Sequence, residues 1–212
     1  NNQVTDYGMS KTYGQNAGII LGGSANAIIH HNIVVNGSGP GIQIFGIGQI
    51  KLYDNIVSGA GIYTADPGLD DGIFIDNRPN LYPDRPLQIY AFNNTVINSQ
   101  RNGIRFINTN NTNATGNLFY NNLIVKVGST GYGDRDYLNV AGGIDNVQSN
   151  NLYIANIADV KFVDAAANDF RLQTGSPAID GGKDLTSLGV TNDFDYNTRP
   201  YGAAFNRGAF EY

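Results

Sequence analysis

Gly41-Ile42-Gln43-Ile44-Phe45-Gly46-Ile47-Gly48-Gln49-Ile50-Lys51-Leu52-Tyr53-Asp54-Asn55-Ile56-Val57 holds, in one stretch, the two motifs that recur along this chain. The first is a Gly followed by alternating apolar residues. It returns as Gly18-Ile19-Ile20-Leu21, Gly72-Ile73-Phe74-Ile75 and Gly103-Ile104-Arg105-Phe106, and more weakly as Gly143-Ile144-Asp145. The second is an Asn followed by an apolar or β-branched pair: Asn32-Ile33-Val34, Asn55-Ile56-Val57, Asn94-Thr95-Val96, Asn122-Leu123-Ile124 and Asn151-Leu152-Tyr153. The two alternate without exception, and Gly18 to Asn32 to Gly41 sets a unit of 14 plus 9, or 23, residues. Such a unit has room for short strands and tight turns but not for a crossover helix. Hairpin signals between the strands, which a sandwich or propeller needs, are missing. The spacing therefore predicts a parallel solenoid. Asn suits the left-handed bends of its turns and can stack coil upon coil as a hydrogen-bonded ladder.

Composition agrees with this. The 212 residues include 27 Gly and 29 Asn, while 17 of the 18 acids are Asp and Lys occurs five times. Helix formers are scarce and β-branched and aromatic residues plentiful, which excludes bundles and coiled coils. A 41% hydrophobic content suffices for a core. No apolar run is long enough to span a bilayer, so no membrane partner is expected. A net charge of −5 argues against nucleic acid as a partner. The absence of Cys excludes disulfides, thiol nucleophiles and Cys-held metals.

The repeated Gly-Ile-x-Ile and Asn-x-Val motifs resemble the right-handed parallel β-helix superfamily of secreted bacterial proteins, the pectate-lyase-like group, over about residues 2–163. The resemblance implies an all-β, single-stranded right-handed parallel β-helix, located outside a bacterial cell or on its surface. Residues 1–163 are then the coils and 164–212 a C-terminal capping segment. That second part, with Gly175-Ser176-Pro177-Ala178-Ile179-Asp180 and Arg207-Gly208-Ala209-Phe210-Glu211-Tyr212, resembles the closing module of secreted polysaccharide lyase-like β-helices, with Arg207 where an Asp is common. A cap is expected to shield the terminal strand edge, and Asp180, Asp193, Asp195 and Glu211 are expected to be structural. Asn2-Gln3-Val4 already reads as the second motif, so the chain is expected to begin mid-coil, with an upstream chain or domain completing the helix.

Departures from the unit place loops. The excess residues fall at about 63–71, 77–86, 108–114 and 129–139, all beside the Gly-Ile-x-Ile strands. Insertions on one face of a repeat protein build its binding surface. Alternation points Ile19, Leu21, Ile42, Ile44, Ile73, Ile75, Ile104 and Phe106 inward. One outward column then reads Ile20, Gln43, Phe74, Arg105, Asp145, and a second Gly22, Phe45, Asp76, Ile107. Aromatic rings beside Arg, Asp and Gln suit a sugar polymer, with rings on apolar sugar faces and polar groups on hydroxyls and carboxylates.

The chemistry-bearing residues cluster here. Asp66, Asp70, Asp71 and Asp76 can ligate Ca²⁺, and Asp71 and Asp76 can also act in proton transfer. Asp70-Asp71 before a strand resembles the paired Asp of polygalacturonase-type hydrolases, without the Gly-His-Gly or Arg-Ile-Lys that follow there. Asp66-Pro67 with Asp70-Asp71 resembles the Asp-Pro-His-Asp segment of mannuronan epimerases, without its His. Arg78, Arg85, Arg101 and Arg105 are four of the eight Arg and lie within 28 residues. Arg binds carboxylate bidentately. The resemblance to β-helix lyases implies a polysaccharide substrate and cleavage by β-elimination, with hydrolase, epimerase and non-catalytic carbohydrate-binding or adhesin roles as alternatives. In the lyase reading Arg105 and Arg78 hold carboxylates, Arg105 is a better base than Lys51, and Arg85, Arg101, Gln43, Phe45 and Phe74 bind substrate. His30 aligns with Tyr53, Phe92 and Tyr120 in an aromatic column, and His31 with Asp54, Asn93, Asn121 and Asn150 in a polar one, so both histidines are expected to be structural. No nucleophile-elbow, phosphate-loop or zinc spacing is present, and no organic cofactor is expected.

Overall fold

A computed structural model describes residues 2–9, 16–24, 26–63, 70–77, 87–108, 114–128 and 135–212. The chain visits three sheets in turn. Sheet A takes, in order, Gln3–Tyr7, Ile33–Gly37, Ile56–Ser58, Thr95–Ser99, Leu123–Val127 and Leu152–Ile154. Sheet B takes Ile19–Ser24, Ile42–Gly46, Ile73–Asp76, Ile104–Asn108 and Leu138–Gly142. Sheet C takes Ala27–His30, Gly48–Tyr53, Leu87–Phe92, Leu118–Tyr120 and Val147–Ser149. Each strand pairs in parallel with the strand one coil on. The fold is a parallel β-solenoid. Among the described residues no helix is long and apolar enough to cross a membrane.

The inward face is as alternation dictates. Ile42, Ile44, Ile73, Ile75, Ile104 and Phe106 of sheet B meet Ile50, Leu52, Ile89 and Phe119 of sheet C and Val34, Val57, Val96 and Ile124 of sheet A in one core. Burying such a side chain contributes about 1.5–3 kcal/mol over leaving it in water. The Gly that opens each sheet B strand is needed for close approach, not for an unusual φ. A Cβ on Gly41 would lie 2.2 Å from Val57 Cγ1 and 2.8 Å from the Gly72 carbonyl oxygen. At the last coil the same place is taken by Tyr137, whose ring stacks on Tyr153 at 5.3 Å.

The turn between sheets C and A divides its work between two neighbours. His31, Asp54, Asn93, Asn121 and Asn150 take the left-handed bend, with φ between 49° and 57°. The next residue is the ladder Asn. Asn32, Asn55, Asn94 and Asn122 each donate both backbone N–H and side-chain Nδ2 to the Oδ1 of the Asn one coil on, at 2.8–3.3 Å. Asn2 joins the first rung in the same way. The second Nδ2 hydrogen reaches a main-chain carbonyl: Ile29 for Asn55, Leu52 for Asn94, Ala91 for Asn122 and Phe119 for Asn151.

The C-terminal segment makes contacts along the flank of the solenoid. A short helix (Ile157–Val160) and an antiparallel pair (Phe162–Asp164 with Asp169–Leu172) lead into irregular chain. Val160, Phe162, Phe170, Leu172, Ala178, Ala209 and Phe210 cluster with Ile56, Ile97, Leu123, Val125 and Ile154 of sheet A. Leu185, Val190 and Phe205 cluster with Phe92 and Tyr120 of sheet C. Between these patches, the left-handed column is the seam. His31 Nε2 meets the Asp193 carbonyl at 2.8 Å, and Asn93 Nδ2 donates to the Asn206 and Gly208 carbonyls. Asn121 exchanges two bonds with Lys183, and Asn150 donates to Gly181. Asp54 pairs with Arg199 at 2.7 Å, and the same guanidinium reaches Glu211 at 2.5 Å, all three side chains being buried.

One cation thus sits between two buried carboxylates, and Asp193, also fully buried, accepts the Glu211 N–H. Burial pushes the Asp54 carboxyl up to about 8, against the pull of Arg199, with Asp193 and Glu211 adding to the rise. Because the folded value lies above the unfolded one, the stabilisation belongs to the protonated form and is lost as pH rises from about 4 through about 8. Asp54→Asn imitates the protonated acid and matches Asn93, Asn121 and Asn150 in the column. The melting-temperature advantage of this variant over the parent should widen from pH 4 to 8 and then level off; a gap that stays constant refutes the assignment. A rung in mid-ladder is costlier to lose. Asn94→Ala removes an acceptor from two Asn55 donors, so its stability measured by urea unfolding should fall by at least ~2 kcal/mol.

Candidate functional site

The outer face of sheet B carries the columns expected of it in its first four coils. Gln43 pairs with Ile20 and Phe74, and Arg105 with Phe74; Phe45 pairs with Gly22, and Ile107 with Asp76. The fifth member differs. Arg105 pairs with Asn139, not Asp145, because the last strand is Leu138–Gly142. The Gly143 motif imitates a strand start, but Gly142 and Gly143 both have positive φ, at 90° and 74°, and end the strand. Asp145 follows in a left-handed bend of its own and accepts a hydrogen bond from Thr115 Oγ1.

The middle of this face is buried, while Ile20 at its first coil is exposed. Phe74 has no exposed surface, Gln43 and Asp76 are buried, and Phe45 is half-buried. The Arg105 guanidinium lies 5.4 Å from the Phe74 ring centre, and its side chain is 11% exposed. An Arg laid on a ring and drawn to a carboxylate has its plane fixed.

The carboxylate is Asp71, which is wholly buried. It occupies the residue before the Gly72 strand, as Asn102 and Asp136 do in the next two coils, and these three form a second short ladder. Asp136 N donates to Asn102 Oδ1 at 2.8 Å, and Asn102 donates from Nδ2 and N to Asp71 Oδ1 at 2.7 and 3.2 Å. Asp71 Oδ2 lies 3.6 Å from Arg105 Nη1. Burial raises the Asp71 carboxyl above the usual carboxylate range, while the Asn102 bonds and the charges of Arg105 and Arg101 pull it back. Asp70 is also buried, directly under Gly61, where a Cβ would come within 2.4 Å of Asp70 Cβ. Its main-chain carbonyl accepts the Arg101 N–H at 3.1 Å.

The structure therefore gathers Asp71, Arg105, Arg101 and Phe74, with Asp70 alongside. Asp76 lies on the neighbouring outward column, next to Ile107. Arg78, Arg85 and Asp66 lie outside the described residues. Among the described residues no group of three or more His, Cys, Asp or Glu is placed to hold a metal ion. Lys51 is on sheet C and donates to the Leu188 carbonyl. His30 stacks on Tyr53 at 4.9 Å and touches His31 through their Nδ1 atoms, as the aromatic column required. Sequence reading missed Asn102 and Asp136, although the polar residue preceding Gly103 was visible as a signal.

An Arg fixed between a ring and a buried carboxylate stays protonated, so Arg105 is suited to holding an anion and poorly suited to abstracting a proton. Compared with known proteins, the chain matches no protein-family model, no curated protein and no solved structure.

Asp71 serves as a rung and as a counter-ion, and two variants separate these roles. Asp71→Asn keeps the acceptor for Asn102 and should melt within a few degrees of the parent. Asp71→Ala leaves buried Asn102 donors without an acceptor and should lose about 2 kcal/mol in chemical unfolding. Equal losses for both would mean that the ion pair with Arg105, and not the ladder bond, supplies the stability.

Proposed function

We propose that this chain is a right-handed parallel β-helix of the pectate-lyase-like kind, secreted or displayed by a bacterium, that cleaves an acidic polysaccharide by β-elimination. The observation that supports the reading best is Arg105, fixed by Asp71 and Phe74 on the sheet that all four insertions adjoin. In such a reaction a uronic acid carboxylate is neutralised, the proton on the adjacent ring carbon is removed, and the glycosidic C–O bond breaks. The ring gains a double bond and the leaving oxygen takes up a proton. Arg105 holds the carboxylate here, with Arg78, Arg85 and Arg101 along the same stretch for neighbouring units. Asp71 and Asp76 are the proton-transfer candidates, a carboxylate being needed to take the ring-carbon proton and a carboxylic acid to return one to the leaving oxygen. Ca²⁺ held by Asp66, Asp70, Asp71 and Asp76 is the alternative means of neutralising the carboxylate.

The burial of Gln43, Phe74, Asp71 and Asp76 favours a second reading, a non-catalytic carbohydrate-binding or adhesin-type solenoid, because these groups already have structural surroundings. Polygalacturonate, alginate and a glycosaminoglycan, each offered with and without Ca²⁺, distinguish the two through the ultraviolet absorbance of the unsaturated product. Turnover of one of them is expected, with kcat/KM falling about 100-fold in Arg105→Ala. Binding without turnover on every polymer would replace the lyase by the second reading.

A further inference from the structure

A groove of about 580 Å³ lies on the outer face of sheet C and is lined by Asn26, Ala27, Ile28, Gln49 and Lys51. Its floor consists of two outward columns that continue down the sheet. In one, Gln49 stands opposite Gln88; Gln49 N donates to Asn26 Oδ1 at 2.8 Å, and Gln49 Nε2 donates to Gln88 Oε1 at 2.9 Å. In the other, Lys51 lies between Ile28 and Tyr90. Asn26 and Gln49 are exposed, Ile28 is 62% exposed, and Lys51 and Tyr90 are half-buried. One ammonium hydrogen of Lys51 goes to the Leu188 carbonyl at 2.7 Å, which ties the cation to the groove wall and leaves its other donors for a ligand.

Two features determine the ligand chemistry. First, the chain carries −5, yet among the described residues those lining this groove supply amides, aliphatic surface and one cation, with no carboxylate. Second, the amides repeat at the coil spacing of about 4.8 Å, along the solenoid axis. A polymer lying along that axis meets an amide at each step, with Ile28 and Tyr90 offering apolar contact beside it.

We infer that this groove is a second docking site, for the anionic stretch of an acidic glycan, remote from Arg105 and not part of its chemistry. The polymer class is the one in the functional reading above; the site itself rests on the sheet C residues alone. The test is a residue-resolved NMR titration with a short oligogalacturonate and with its uncharged galactose counterpart. The acidic probe is expected to shift the Gln49 and Gln88 side-chain amides and the Ile28 methyl, and the neutral one to do so more weakly. Lys51→Gln should weaken the acidic probe about fivefold, while Lys51→Arg, which keeps a cationic donor to Leu188, should retain it. Arg105→Ala should leave these shifts unchanged, so loss of turnover with an intact groove titration points to the Arg105 reading alone. Unmoved Gln49 and Gln88 amides, equal shifts with the neutral sugar, or a Lys51→Gln titration identical to the parent would each overturn the inference.

Discussion

The fold depends on the amide ladder at the turn between sheets C and A. Asn55, Asn94 and Asn122 each bind one coil ahead through two donors and reach back through a third to a carbonyl of the coil behind. The tight bend leaves main-chain groups inside the molecule that neither sheet can satisfy, and a buried unpaired group costs on the order of 1–3 kcal/mol. Only a side chain with two donors and an acceptor at one fixed distance from the backbone meets all of these demands, and Asn is that side chain. The rest follows from the turn. With the coil closed there, sheet A's Val34, Val57, Val96 and Ile124 face inward, and the Gly at each sheet B start must leave room for them.

That hierarchy explains what could be read from residues alone. The Asn and Gly columns are local requirements repeated in every coil, so their register across sheets A, B and C was legible. So was the aromatic column through His30, Tyr53, Phe92 and Tyr120. Where the repeat decays, reading fails. Gly143 imitates a strand start, yet the strand has already ended at Gly142, and Asn139 takes the outward place assigned to Asp145. Burial of outward groups such as Phe74 and Gln43 was also beyond reach, because alternation tells which face a side chain takes and not whether that face is covered. The pairing of Asp71 with Arg105 was within reach only as a column neighbourhood, and its second partner, Asn102, was not anticipated.

Carboxylates in this chain do more structural work than their number suggests. Asp54 and Glu211 pair with Arg199 on the flank, buried Asp193 accepts from Glu211 and Asn197, and Asp71 continues a ladder that Asn102 and Asp136 begin. An acid used as a rung is pushed toward its neutral form by burial, and this is also the form in which it can give up a proton. On the sheet B face the rung is also the counter-ion of Arg105, whereas on the flank Arg199 pairs with carboxylates outside that ladder.

The seam along the left-handed column has a further consequence for how the molecule comes apart. A solenoid is held by contacts between nearest neighbours, so its coils can fray one at a time from either end. Here a single return segment touches His31 in an early coil and Asn150 in the last, with Asp54, Asn93 and Asn121 between them. Separating any one coil then strains bonds made by all the others. The chain is in this respect a bound stack and not a string of repeats, and its unfolding should be a single cooperative event.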